Sequence, residues 1–150
     1  MELEIHSHPA GDRHLIVSPK GSIDSETSTD FTNRLKGLLD TDGGRDVLMS
    51  LAGVKYISSS GLGALFNVKK TFDERGASFL LYDPALSVQR VLEISRMQGM
   101  LVRPESIAAG HPWHDFISTR EEEKRKIALE LETKKLQEEG KKKRARSLFK

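Results

Sequence analysis

Three adjacent serines and two glycines, Ser58-Ser59-Ser60-Gly61-Leu62-Gly63, are the residues of this chain most suited to chemistry. A serine at a helix start can cap unpaired backbone N–H groups, or present a hydroxyl beside donors and a partial positive charge that tolerate phosphate. Glycine removes side-chain bulk, so that another protein's backbone or a nucleotide could come close. Each interior glycine costs about 1 kcal/mol of helix propensity, which a contact must offset. From the residue types alone, a cap with a tight turn and a modification site both remain open. The segment lacks the GxxxxGK[ST] spacing of a P-loop and the G-x-S-x-G spacing of a nucleophile elbow.

Other reactive residues point away from catalysis. There is no cysteine, which excludes disulfides, thiolate nucleophiles and cysteine-bound zinc. His6 and His8 would share a strand face, and His111 and His114 would lie one helical turn apart. No acidic cluster accompanies either pair at a ligand spacing, so no metal site is expected. The carboxylates show no paired arrangement suggestive of glycoside chemistry.

The elements that must position the serines follow from hydrophobic periodicity. Leu3 and Ile5 alternate with polar neighbours, and Leu15-Ile16-Val17 is a short apolar run; Pro9-Ala10-Gly11-Asp12 between them reads as a hairpin turn. From Ser25 to Leu39 the period becomes helical, with Phe31, Leu35, Leu38 and Leu39 on one face and Ser25 or Thr27 as cap. Gly43-Gly44 breaks the chain. Asp46 to Ser50 reads as a central buried strand, followed by a short loop. Residues 60 to 75 read as a second helix with Leu62, Leu65, Phe66, Lys69 and Phe72 on its stripe, ended by Gly76. Ser78 to Tyr82 is another strand, Val88, Val91, Leu92 and Ile94 mark a third helix, and Leu101-Val102 a last short strand. Strands alternating with helices after a hairpin imply an α/β fold: a small mixed sheet of about four or five strands packed against helices.

The block from Asp46 to Leu65, with the strand Asp46-Val47-Leu48-Met49-Ser50 and then Tyr56-Ile57-Ser58-Ser59-Ser60-Gly61-Leu62, resembles the signature of STAS domains, specifically the bacterial anti-sigma factor antagonists. Gly21-Ser22-Ile23-Asp24 resembles a second family feature ahead of the first helix. The helix around Val88 to Ser95, after Leu81-Tyr82-Asp83-Pro84, fits as well. The resemblance covers roughly residues 2 to 117.

This resemblance implies a non-enzymatic, partner-switching regulator of transcription without a cofactor. The serine two before the motif glycine, here Ser59, would accept phosphate. This chain has Ser58 where many members carry Asp, which leaves Ser58 and Ser60 as the other candidate acceptors. Asp24, Ser58, Ser60, Gly61, Leu62 and Gly63 would form the partner-binding surface. The partners implied are an anti-sigma factor that is itself a serine kinase of the histidine-kinase-like ATPase type, and a PP2C-type phosphatase. The unphosphorylated form would hold the anti-sigma factor and the phosphorylated form release it. Two alternatives stand beside it: a STAS scaffold or transport-accessory protein that is never phosphorylated, and a nucleotide-binding STAS module.

Charge divides the chain. Residues 120 to 150 hold twelve Lys/Arg and seven Asp/Glu, a balance of +5, leaving twelve and fifteen, a balance of −3, for the rest. Residues 1–118 therefore read as the STAS domain and 119–150 as a charged, basic helical extension. Its apolar residues Ile127, Leu129, Leu131 and Leu136 are sparse for a coiled-coil seam, and the helix is expected to fray after Gly140. The run Lys141-Lys142-Lys143-Arg144 lacks interleaved aromatics, so no direct DNA binding is expected. The N-terminal residues carry no signal-peptide pattern and no apolar run approaches a bilayer span, so a soluble, cytoplasmic protein is expected.

Overall fold

The computed structural model describes residues 2–40 and 45–148. In chain order it contains β1 (Leu3–Pro9), β2 (His14–Ile23), α1 (Ser28–Gly37), a 3-10 turn (Leu38–Asp40), β3 (Asp46–Ser50), β4 (Val54–Ile57), α2 (Ser59–Glu74), β5 (Phe79–Tyr82), α3 (Leu86–Ile94), two further 3-10 turns (Gln98–Met100 and Pro104–Ser106) and α4 (His114–Leu148). The chain divides into two units, Met1–Trp113 and His114–Lys150. The Gly43-Gly44 break lies outside the described residues.

The first unit is a mixed five-stranded sheet with helices packed on it, in the order β1-β2-β3-β5, with β4 paired to β2. β1 and β2 form the antiparallel hairpin expected around Pro9 to Asp12, while β2, β3 and β5 run parallel. Parallel strands covered on both faces read as unbroken apolar runs, and Val47, Leu48 and Met49 of β3 are fully buried. β3 therefore takes the interior position expected of it. α1 contributes Phe31 and Leu35 to the core, and α2 contributes Leu65, Val68 and Phe72.

β4 was not anticipated, because Val54–Ile57 reads from sequence as loop. Only Val54 and Ile57 of its four residues turn inward, and Lys55 and Tyr56 are exposed. So short an in-out-out-in pattern carries no period. The strand exists because β2 bends to meet it. Its register shifts at Gly21/Ser22, and Gly21 pairs with Leu3 on one side and Val54 on the other. Gly21 has φ +124°, and a Cβ there would collide with the Glu2 carbonyl oxygen. Only glycine fits this bulge.

Other expectations need correction. α1 starts at Ser28, so the cap is the second of the two expected residues and not Ser25. Its N-cap is Thr27, but that side chain makes no capping bond to the helix; the hydroxyl donates to Ser22 O instead, at 2.8 Å. Phe66 is 63% exposed and Ile94 83% exposed, off the buried stripes of their helices, which are set by Leu65, Val68 and Phe72 and by Val88 and Leu92. Leu101 forms one isolated bridge to Leu81, not a strand. α4 runs unbroken through Gly140 to Leu148. Long straight-chain neighbours favour helix, and Lys141 to Arg146 place cations at the negative end of the helix dipole; together they offset the roughly 1 kcal/mol cost of one glycine.

Candidate functional site

The bend in β2 places the serine segment. Past Gly21, Ser22 and Ile23 pair with Tyr56 and Ile57 of β4, so the two strands end side by side. The Ser58 N–H then donates to Ile23 O at 3.0 Å. Residues far apart in sequence, the Asp24 loop and the Ser58 turn, are thereby fastened at one end of the sheet.

Each candidate residue now has a distinct role. Ser58 has extended backbone and caps α2, its Oγ accepting from the Gly61 N–H at 3.1 Å. Its hydroxyl oxygen is thus engaged in satisfying a donor that the helix leaves open. Ser59 begins α2 and is exposed, as is Ser60. No acidic residue occupies the first turn of α2, so the positive end of the helix dipole there is not neutralised by a carboxylate of its own turn.

Gly61 and Gly63 differ in kind. A Cβ on Gly61 would collide with the carbonyl oxygen of Ile23 and come 3.0 Å from Ile57 Cγ2. The missing side chain at Gly61 is therefore used inside the fold, to seat α2 against β2. Gly63 is exposed with nothing within 4 Å of such a Cβ, and it alone of the two leaves room for an incoming surface. Leu62 is half-buried against the core. Ser59, Leu62, Gly63 and Phe66 follow the i, i+3, i+4, i+7 spacing of one helix face. A serine therefore heads a stripe that ends in an exposed aromatic, Phe66.

Asp24 is buried, and its Oδ1 accepts from the Glu26 N–H at 3.0 Å and the Thr27 N–H at 3.2 Å, with the Thr27 hydroxyl oxygen 3.3 Å away. The Asp24 N–H donates back to Thr27 Oγ1 at 3.0 Å. Its carboxylate organises its own loop into α1.

Ser60 lies beside the Ser59 stripe, on the same side of Gly63 as the first helix. It lines a groove of about 400 Å³ between α1 and α2, together with Gly63 of the stripe, Thr32, Asn33, Lys36 and Asn67. The Lys36 ammonium donates to Asn67 Oδ1 at 2.9 Å across it. No carboxylate lines this groove.

A second cluster, not foreseen from sequence, lies at the opposite end of β2. His14 meets His111 and Trp113 edge-on, with ring centroids 5.2 and 5.3 Å away, and its Nε2 lies 3.5 Å from Asp46 Oδ2. The Trp113 N–H donates to His111 Nδ1 at 3.1 Å. Burial, and then the nearby His14, lower the His111 pKa from its ordinary 6.5, against an opposing pull from Asp46. His14 and His111 are too distant in sequence for any spacing rule to pair them. Among the described residues no group of three or more His, Cys, Asp or Glu side chains could hold a metal ion, and no helix is long and apolar enough to cross a membrane.

A five-stranded mixed sheet whose Gly21-Ser22-Ile23-Asp24 turn is bound to a serine-capped helix defines a STAS fold. The STAS domain family model matches residues 6–108, and the chain belongs to that family. Among solved structures it is similar to the anti-sigma factor antagonist SpoIIAA of Bacillus. For the unphosphorylated form the TM-score is 0.59 at 11% identity, covering 66% of this chain and 86% of that one. For the phosphorylated form it is 0.54 at 10% identity, covering 66% and 89%. It is also similar to an anti-sigma factor antagonist from Mycobacterium paratuberculosis, with a TM-score of 0.55 at 16% identity over 67% of this chain and 83% of that one. The murine anion transporter Slc26a9 matches at 0.50 with 18% identity, over 54% of this chain and 13% of the transporter.

Proposed function

We propose that this protein is a non-enzymatic anti-sigma factor antagonist whose grip on its partner is controlled by phosphorylation of Ser59. The unphosphorylated chain binds an anti-sigma factor that is a serine kinase of the histidine-kinase-like ATPase type. That kinase phosphorylates Ser59, the complex dissociates, and a PP2C-type phosphatase resets the switch. The contact surface is the Ser59–Leu62–Gly63–Phe66 face of α2 with the neighbouring Ser58, Ser60 and Asp24 loop.

One observation carries the choice of acceptor. Ser59 is exposed at the head of the stripe, Ser58 has its hydroxyl engaged as the cap of α2, and Ser60 turns toward the α1/α2 groove. A phosphate adds about −1.5 to −2 charges and three strong acceptor oxygens. Beside unpaired helix N–H groups it is tolerated in the free protein. Buried against a partner at Leu62 and Phe66 it is not, and about 2.7 kcal/mol of lost contact suffices for hundredfold release. SpoIIAA, similar in fold, exists in both phosphorylated and unphosphorylated forms.

Phosphopeptide mapping on protein from its own cells tests the reading. One phosphate on Ser59 is expected, absent in Ser59→Ala and retained in Ser58→Ala and Ser60→Ala. Incorporation unchanged in Ser59→Ala overturns the assignment, and an intact mass without phosphate under every growth condition favours the unphosphorylated scaffold.

A further inference from the structure

The helix α4 carries a pattern that the switch does not use. Glu122, Leu129, Leu136 and Lys143 are spaced seven residues apart along it. A seven-residue repeat keeps side chains on one slowly winding face of a helix. Leu129 and Leu136 are each 67% exposed, so within one chain this face is uncovered. Read backwards, the stripe is its own complement: base, leucine, leucine, acid.

We propose that α4 pairs antiparallel with α4 of a second copy of this chain, about a two-fold axis between Glu132 and Thr133. In that register Leu129 meets Leu136 of the second copy, and Glu122 meets its Lys143. The flanking charges obey the same reversal. Glu121 and Glu123 fall opposite Arg144 and Lys142, Lys126 opposite Glu139, and Glu130 opposite Lys135. Lys124 opposite Lys141 is a like pair. Within their own helix Glu121 and Glu123 approach Lys124 at 3.3 Å and Arg120 at 3.8 Å, and a carboxylate can serve both. A parallel pairing in register would stack the Glu121–Glu123 run on itself and the Lys141–Arg144 run on itself, so charge selects the antiparallel arrangement.

A 35-residue helix that is polar on most of its surface gains little from packing as a single chain. Pairing supplies the missing burial. With only two leucines per copy in the seam, the association is weak and mainly electrostatic, and therefore salt-dependent.

Sedimentation equilibrium of the full chain tests this. A monomer–dimer equilibrium is expected at low salt, weakening about tenfold or more between roughly 50 mM and 500 mM salt. E121K/E122K/E123K should be monomeric, and so should K142E/K143E/R144E. Carrying both triplets in one chain should restore the dimer, because reversal preserves every unlike pair. Circular dichroism confirms that each variant keeps its helix. A wild-type chain still monomeric at about 1 mM overturns the proposal. So does a dimer unmoved by the single triplets, or a combined variant that fails to recover. Binding of an acidic protein by a monomeric wild-type chain would give the basic end another occupant and likewise refute the pairing.

Discussion

The carbonyl oxygen of Ile23 occupies the space that a side chain on Gly61 would need. In a helix, Gly→Ala normally stabilises by about 0.5–1 kcal/mol. Here the collision with a hydrogen-bonded backbone outweighs propensity, so Gly61→Ala should lose about 1–3 kcal/mol. Gly63→Ala, with open space around it, should gain about 0.5–1 kcal/mol. Urea denaturation of the two variants gives the comparison, and shifts of the same sign would contradict the geometry.

Ser58 and Ser59 separate by stability before any partner is added. Ser58→Ala removes the cap on the Gly61 N–H and should cost about 1 kcal/mol. Ser59→Ala removes an exposed hydroxyl and should stay within about 0.5 kcal/mol of wild type. Midpoints of chemical unfolding measure both. An equal loss in the two would mean that the capping and exposed roles are wrongly divided.

Phe66 is exposed and contributes little to the core, so Phe66→Ala should unfold within about 0.5 kcal/mol of wild type. As the aromatic anchor of the proposed contact face it should still weaken partner binding tenfold or more, at least about 1.4 kcal/mol. Calorimetric titration with the native partner reads the affinity. Unchanged binding would remove this stripe from the interface.

The histidine cluster makes stability depend on pH. The His111 pKa is lowered, so the folded state binds its proton less readily than the unfolded chain. Its contribution is present above pH 6.5 and is lost as pH falls through the folded pKa. Once protonated, Nδ1 can no longer accept from the Trp113 N–H. Trp113 is the one tryptophan in the sequence, so its fluorescence follows the event. The midpoint should lie below 6.5, rise in His14→Gln and fall in Asp46→Asn, following the influences of those neighbours. A midpoint indifferent to both substitutions would refute the coupling.

The layout of strands and helices was legible because burial on both faces of a parallel strand leaves an apolar run, as at Val47-Leu48-Met49, and because α1 alternates Phe31 and Leu35 with polar residues. The motif located the serines for the same reason: a cap, a glycine and a leucine recur at fixed spacing. What failed to show depended on contacts between distant segments. β4 exists only against the bulged end of β2, the purpose of Gly61 lies in Ile23, and His14 meets His111 across the whole first unit. The placement of Phe66 on the expected stripe failed differently. The expected stripe of Leu62, Leu65, Phe66, Lys69 and Phe72 straddles two adjacent faces; Leu65 and Phe72 are buried with Val68 while Phe66 is not, and periodicity alone cannot choose between neighbouring faces.

The single hydrogen bond from Ser58 N–H to Ile23 O also has a meaning for how the protein is made. It joins segments that approach only after β2 has bent at Gly21 and β4 has docked beside it. Contacts between residues distant in sequence demand loop closure before they give stability in return. The first turn of α2 therefore takes its final form only once β2 and β4 have paired. A nascent or partly unfolded copy carries the same serine letters without the surface that presents them, so under the proposed switch recognition of this turn would double as proofreading of the fold.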